Sequence, residues 1–194
     1  MKKYLLMLSL SVLLFASCKK DSGNTSTSQA PHTTNIGDIA YGGIIFYLDT
    51  SGKHGMVCAT TDQITLAVWD ASINATENNP TPTGATGTEI GTGAANTTQI
   101  IAVLGSNAVA ASLCRNYRGG GYSDWFLPSL WELNTLFNRR YVVGGSAFGG
   151  ITSYWSSSEN RDNPTAWEQD FNGSGYQYDF SKYRKLYVRA VRAF

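Results

Sequence analysis

The chain has 194 residues, with 15 Lys and Arg against 14 Asp and Glu, a formal net charge of +1. A nucleic-acid binder needs a marked basic surplus, so that class is excluded. The chain has two histidines, His32 and His54, and no Cys-x-x-Cys, His-x-x-x-His or Gly-x-Ser-x-Gly spacing. Zinc sites, zincin-type hydrolysis and an α/β-hydrolase nucleophile therefore lack their residues.

Lys2 and Lys3 precede a largely apolar run from Leu5 to Phe15. A membrane-spanning helix needs about 20 apolar residues, so residues 1–17 read as a signal peptide. The step Ala16-Ser17-Cys18 resembles a bacterial lipoprotein cleavage site, with Phe15 where Leu is usual. Cys18 is then the lipidated residue, and acyl chains on it anchor the protein to the membrane. The expected location is the cell envelope, at the outer membrane. Cleavage leaves 13 basic against 14 acidic residues. Residues 18–36 are polar, with almost nothing apolar to bury, and read as a disordered tether. Residues 37–194 are enough for one domain with a sizeable core.

Within that domain, Gly43 to Leu48 reads as a buried strand. Asp49-Thr50-Ser51-Gly52 is turn chemistry, and Met56 to Thr60 the returning strand. Thr76 to Asn96 is rich in Asn, Thr, Gly and Pro and reads as an irregular surface loop, a second-choice binding element. Asn96 to Tyr117 has helical periodicity, with a break at Gly105-Ser106-Asn107. Pro128 stops the chain, and Ser129 with Glu132 forms a capping box for the next helix. Leu130, Leu133, Leu136 and Phe137 fall on one face of it, and Arg139 and Arg140 sit where the helix dipole favours cations. Gly144 to Gly150 lacks the Lys-Ser/Thr of a phosphate-cradling loop. Ala166–Phe171, Tyr176–Phe180 and Leu186–Ala193 read as strands, the first two joined by the turn Asn172-Gly173-Ser174-Gly175. Antiparallel strands at both ends with two helices between them make an α+β domain.

The run GGGYSDWFLPSLWELNTLF (Gly119 to Phe137), then YWSSSE (Tyr154 to Glu159), AWEQDF (Ala166 to Phe171) and the C-terminal LYVRAVRAF resemble the Legionella collagen-like-protein C-terminal domain family. YGGIIFYLD, KHGMVCATTDQ and GTGAANT fit the same pattern, so the resemblance covers about Gly37 to Phe194. It implies a C-type-lectin-like fold in which terminal strands pair and loops form the ligand surface. The family's founding member is an adhesin that binds sulfated glycosaminoglycans and trimerises through this domain. The Gly-X-Y collagen repeat of that member is absent here. Lectin-fold formylglycine-generating enzymes use cysteines near the end of the domain, and none follows Cys114. The Glu-Pro-Asn, Gln-Pro-Asp and Trp-Asn-Asp triplets of calcium-dependent lectins are also missing, leaving only Glu159, Asp162 and Asn163 as scattered oxygen donors.

The expected function is a non-catalytic ligand-binding module that uses no metal or cofactor. Its alternative is a structural or assembly module holding an envelope protein. Residues 115–194 carry a basic surplus of three, which favours an anionic glycan. Tyr176, Tyr178, Lys182, Arg184 and Lys185 are the ligand-binding candidates, because they mix rings with cations at one hairpin end. Tyr176, Tyr178 and Phe180 share a strand face by the period of two. Trp125, Trp155 and Trp131 lie in motifs and read as core. In an oxidising compartment Cys58 and Cys114 are candidates for a disulfide, against two buried free thiols.

Overall fold

The structure is a computed structural model that describes residues 34–76, 79–144, 153–161 and 165–194, apart from the side chains of Ile64 and Thr65. The expected signal peptide, Cys18 and most of the tether lie outside these residues, as do positions 145–150 of the glycine-rich loop, Asp162 and Asn163. The early strands are β1 (Ile39–Ala40), β2 (Gly43–Leu48), β3 (Gly55–Cys58) and β4 (Ile64–Ala67). The helices α1 (Gly93–Leu104), α2 (Val109–Asn116), α3 (Leu130–Asn138) and α4 (Arg140–Val143) follow. The chain then returns to strands: β5 (Ser153–Glu159), β6 (Thr165–Asp170), β7 (Gln177–Ser181), β8 (Leu186–Val188) and β9 (Val191–Ala193). The domain is α+β, as expected.

Two sheets form, ordered β1-β2-β3-β9 and β4-β8-β5-β6-β7. The strand after the Asp49 turn pairs back on β2, with the Asp49 carboxylate accepting from the Ser51 N–H and hydroxyl. Strands from the two ends of the domain meet where β9 pairs antiparallel with β3. The expected single strand Leu186–Ala193 is instead divided between the sheets. Arg189 turns inward at the division, its Nε donating to Asp62 Oδ1 (2.6 Å) and its Nη1 to Ala59 O (2.7 Å). The Ala190 N–H donates to Gln63 Oε1, completing the crossover.

The expected helical break is present: a 3₁₀ turn at Gly105–Asn107 separates α1 from α2. The first helix begins at Gly93, three residues earlier than expected. At α3 the capping box is complete, since Ser129 N donates to Glu132 Oε2 (2.7 Å) and Glu132 N to Ser129 Oγ (3.4 Å). Arg140 donates to the Phe137 carbonyl at the C-terminal end of α3, which is the expected dipole contact. No single helix among the described residues is long and apolar enough to cross a membrane.

The buried residues form two clusters. One gathers Trp69, Trp125 and Trp155, all fully buried, with Ile100 and Leu127. The other packs Leu133, Leu136 and Phe137 of α3 against Phe46, Tyr154 and Phe171. Trp125 and Trp155 are core, as expected. Trp131 is not, being 44% exposed. One residue along a helix is about 100° of rotation, which carries Trp131 off the Leu130–Leu133–Phe137 face.

Candidate functional site

The β6–β7 hairpin carries Tyr176 and Tyr178, and the other candidates follow it in sequence. Its turn needs glycine at position 175, where φ is +67° and a Cβ would collide with the Phe137 ring. This close approach fixes the hairpin against α3. The ladder pairs Ala166 with Phe180 and Glu168 with Tyr178, so Tyr176, Tyr178 and Phe180 share one face. The rings form a row, with centroids 6.0 Å apart for Tyr176–Tyr178 and again for Tyr178–Phe180. Tyr176 is 62% and Tyr178 47% exposed. Beyond the strand, Arg184 sits in a turn closed by its own N–H to Ser181 O. Its guanidinium lies 4.1 Å from the Phe180 centroid, extending the row with a cation. Lys185 follows, and both are exposed. Among the described residues, neither forms an ion pair.

Lys182 does not belong to this surface. Its side chain is fully buried in an ion pair with Glu159, with its ammonium 4.8 Å from the Trp69 centroid. The chain leaves β7 at Ser181, and Trp69 N and Asp70 N both donate to the Lys182 carbonyl. That contact turns the side chain into the core although its parity matches the exposed rings. The site therefore keeps Tyr176, Tyr178, Arg184 and Lys185, gains Phe180 and loses Lys182.

A carboxyl lies beside the row. Glu168 faces Tyr178 on one side and Trp155 on the other. It is fully buried, and among the described residues no hydrogen bond of good geometry reaches either carboxyl oxygen. Burial pushes it up to about 7; Ser153 and Arg184 oppose the rise and Asp170 adds to it. Sequence reading missed this group, since an acid between Trp167 and Gln169 in AWEQDF looks like any exposed strand residue.

The Thr76–Asn96 loop was the second-choice surface. Its described residues have no helix or strand before α1. Two buried glutamates hold them. Glu159 accepts from Thr83 N and Gly84 N, at 3.0 and 2.8 Å, and pairs with Lys182. Glu132 accepts from Gly91 N at 2.7 Å, and a Cβ at position 93 would collide with its Oε2. Ser158 Oγ donates to Gly87 O, and Asn96 Nδ2 to the same carbonyl. The motif residues of YWSSSE and of the capping box thus satisfy loop backbone that no ladder satisfies.

Cys58 and Cys114 form no disulfide. Both are free and fully buried. Cys58 lies with Phe46 and Met56 in one cluster, Cys114 with Trp125 and Leu127 in the other. Burial pushes the Cys58 thiol up to about 12 and raises Cys114 as well, so neither is a reactive thiolate at neutral pH.

No match is found among curated proteins. A family model described as the Lcl C-terminal domain matches residues 58–192. The matched span runs from the last residue of β3 into β9 and contains GGGYSDWFLPSLWELNTLF, YWSSSE and AWEQDF whole, and LYVRAVRAF as far as Arg192. The chain belongs to the Lcl C-terminal domain family.

Proposed function

We propose that this domain is a non-catalytic binding module, displayed on the cell envelope by a lipid anchor at Cys18, that takes an anionic glycan on the β6–β7 hairpin end. The observation that carries this reading is the placing of Arg184 and Lys185, exposed and without ion-pair partners among the described residues, beside the row Tyr176–Tyr178–Phe180. Flat amphipathic rings give sugar contact at low entropy cost. Guanidinium and ammonium groups meet sulfates or carboxylates through charge-assisted hydrogen bonds. A binding rather than catalytic role is supported by the work of Glu132 and Glu159, which accept backbone donors inside the fold. The pairing of β3 with β9 supports the lectin-like expectation.

An array of sulfated and carboxylated glycans, probed at low and physiological salt, tests the glycan reading. The Arg184→Ala/Lys185→Ala variant is expected to lose at least about tenfold in affinity, as two charge-assisted bonds would supply. Its melting temperature should barely move, because exposed charges contribute little to stability. Wild-type binding should weaken as salt screens the cations. A double variant that binds like the wild type at low salt sinks the reading. The anchor has its own test: Cys18→Ser should appear in the soluble fraction or remain unprocessed. Membrane partitioning of a normally cleaved Cys18→Ser protein would remove the anchor.

A further inference from the structure

A concavity lies away from the hairpin, between α2 and the segment that joins β3 to β4. It is a groove of about 530 Å³, a size usual for small-molecule sites. One wall is an apolar strip, with Val109 and Leu113 one helical turn apart on α2 and Tyr117 at its C-terminal cap. Each is only partly buried by the core behind it. The opposite wall presents Asp62.

The polar groups there have unused capacity. Asp62 Oδ1 accepts from Arg189 Nε at 2.6 Å, and Oδ2 accepts from the Tyr154 hydroxyl at 3.2 Å. These two bonds fix the carboxylate and, among the described residues, leave each oxygen a free lone pair. The Ser112 hydroxyl and the Asn116 amide also line the groove, and neither has a hydrogen-bond partner among the described residues.

Charge narrows the ligand class. No lysine or arginine lines the groove, so the charged group that an anion would meet in its lining is the Asp62 carboxylate. A cation would find that carboxylate already matched by Arg189, which is buried behind it. What remains is a neutral molecule with one apolar face and several hydroxyl groups. A pyranose has this form: its C–H face lies on aliphatic and aromatic side chains, and its hydroxyls donate to carboxylates and bond with amides and hydroxyls. We propose that the groove is a binding site for a neutral saccharide unit, with the sugar ring on the Val109–Leu113–Tyr117 strip and its hydroxyls held by Asp62, Ser112 and Asn116. The site stands independently of the anionic-glycan reading, because it shares no residue with the hairpin.

The probes are methyl α-mannoside, methyl β-galactoside and methyl N-acetyl-β-glucosaminide, each tested on the full chain by saturation-transfer NMR at millimolar concentration. At least one should receive saturation, with no change between low and high salt. Asn116→Ala, at an exposed position, should weaken that binding roughly tenfold through a lost hydrogen bond. Ser112→Trp, which fills the groove, should abolish it. The Arg184→Ala/Lys185→Ala variant should retain it, which separates this site from the hairpin. Absence of transfer to all three glycosides overturns the proposal. So does binding that survives both groove substitutions unchanged.

Discussion

Glu159→Ala is expected to cost at least about 4 kcal/mol in urea denaturation, or to prevent folding altogether. Breaking one side of a buried ion pair typically costs 3–5 kcal/mol, because the remaining charge stays buried. Here that charge is Lys182, fully buried against the Trp69 ring. The loss extends further, since Thr83 N and Gly84 N would also lose their acceptor. A typical domain has only about 5–15 kcal/mol in total. The double variant Glu159→Gln/Lys182→Met should recover much of the loss, since it removes both charges and keeps an acceptor for the loop. The pH dependence has a definite sign. Burial by itself would raise the Glu159 carboxyl, but Lys182 and the Thr83 and Gly84 donors outweigh it and hold it below its ordinary 4.5. Its contribution is therefore present above pH 4.5 and is lost as pH falls through the lowered value. A Glu159→Ala protein within about 1 kcal/mol of the wild type, a change expected of ordinary surface substitutions, would show that the clamp is not structural.

Glu168→Gln should act in the opposite direction. Glu168 is raised from 4.5 to about 7 in the folded domain. The fold therefore holds its proton more tightly than the unfolded chain does. Below pH 4.5 the group carries no penalty; between 4.5 and about 7 stability falls as pH rises, and above that the loss is complete. At 1.36 kcal/mol per pKa unit, the full effect is at most about 3.5 kcal/mol. The Gln variant should be flatter in a plot of stability against pH over that window, and more stable than the wild type at pH 8. Parallel curves for the two proteins would mean that Glu168 does not carry this dependence. The same ionisation places a negative charge beside Arg184, so anionic ligands on the hairpin should bind more weakly as pH rises through 7.

What the sequence made legible is local. The capping box at Ser129 and the Gly173–Gly175 turn depend on residues within a few positions of one another, and both are found as read. Trp131 was equally legible, since its offset from Leu130 by one helical step already directs it outward. Lys182 was not. Strand parity puts it with the exposed rings, and only the approach of Trp69 and Asp70, more than 100 residues earlier, turns it inward. The division of the C-terminal strand has the same origin, because Asp62 and Gln63 draw in Arg189 and Ala190 from about 127 residues away. The groove lined by Asp62 and α2 is also made by chain segments distant in sequence. Periodicity carries no information about such meetings.

The pairing of β3 with β9 bears on how the protein is made. Met56 lies opposite Ala193 and Cys58 opposite Val191, and Phe126 bridges to Val191 as well. A chain emerging from its N-terminal end therefore completes β3 long before the partner strand exists. Contacts between residues so far apart in sequence form slowly, because loop closure must come first. Until Val191 to Ala193 have emerged, Met56, Val57 and Cys58 have no β9 to pair with, and the apolar edge of β3 stays open to wrong partners. The sheet that holds β3 is thus arranged to close only once β9 is delivered.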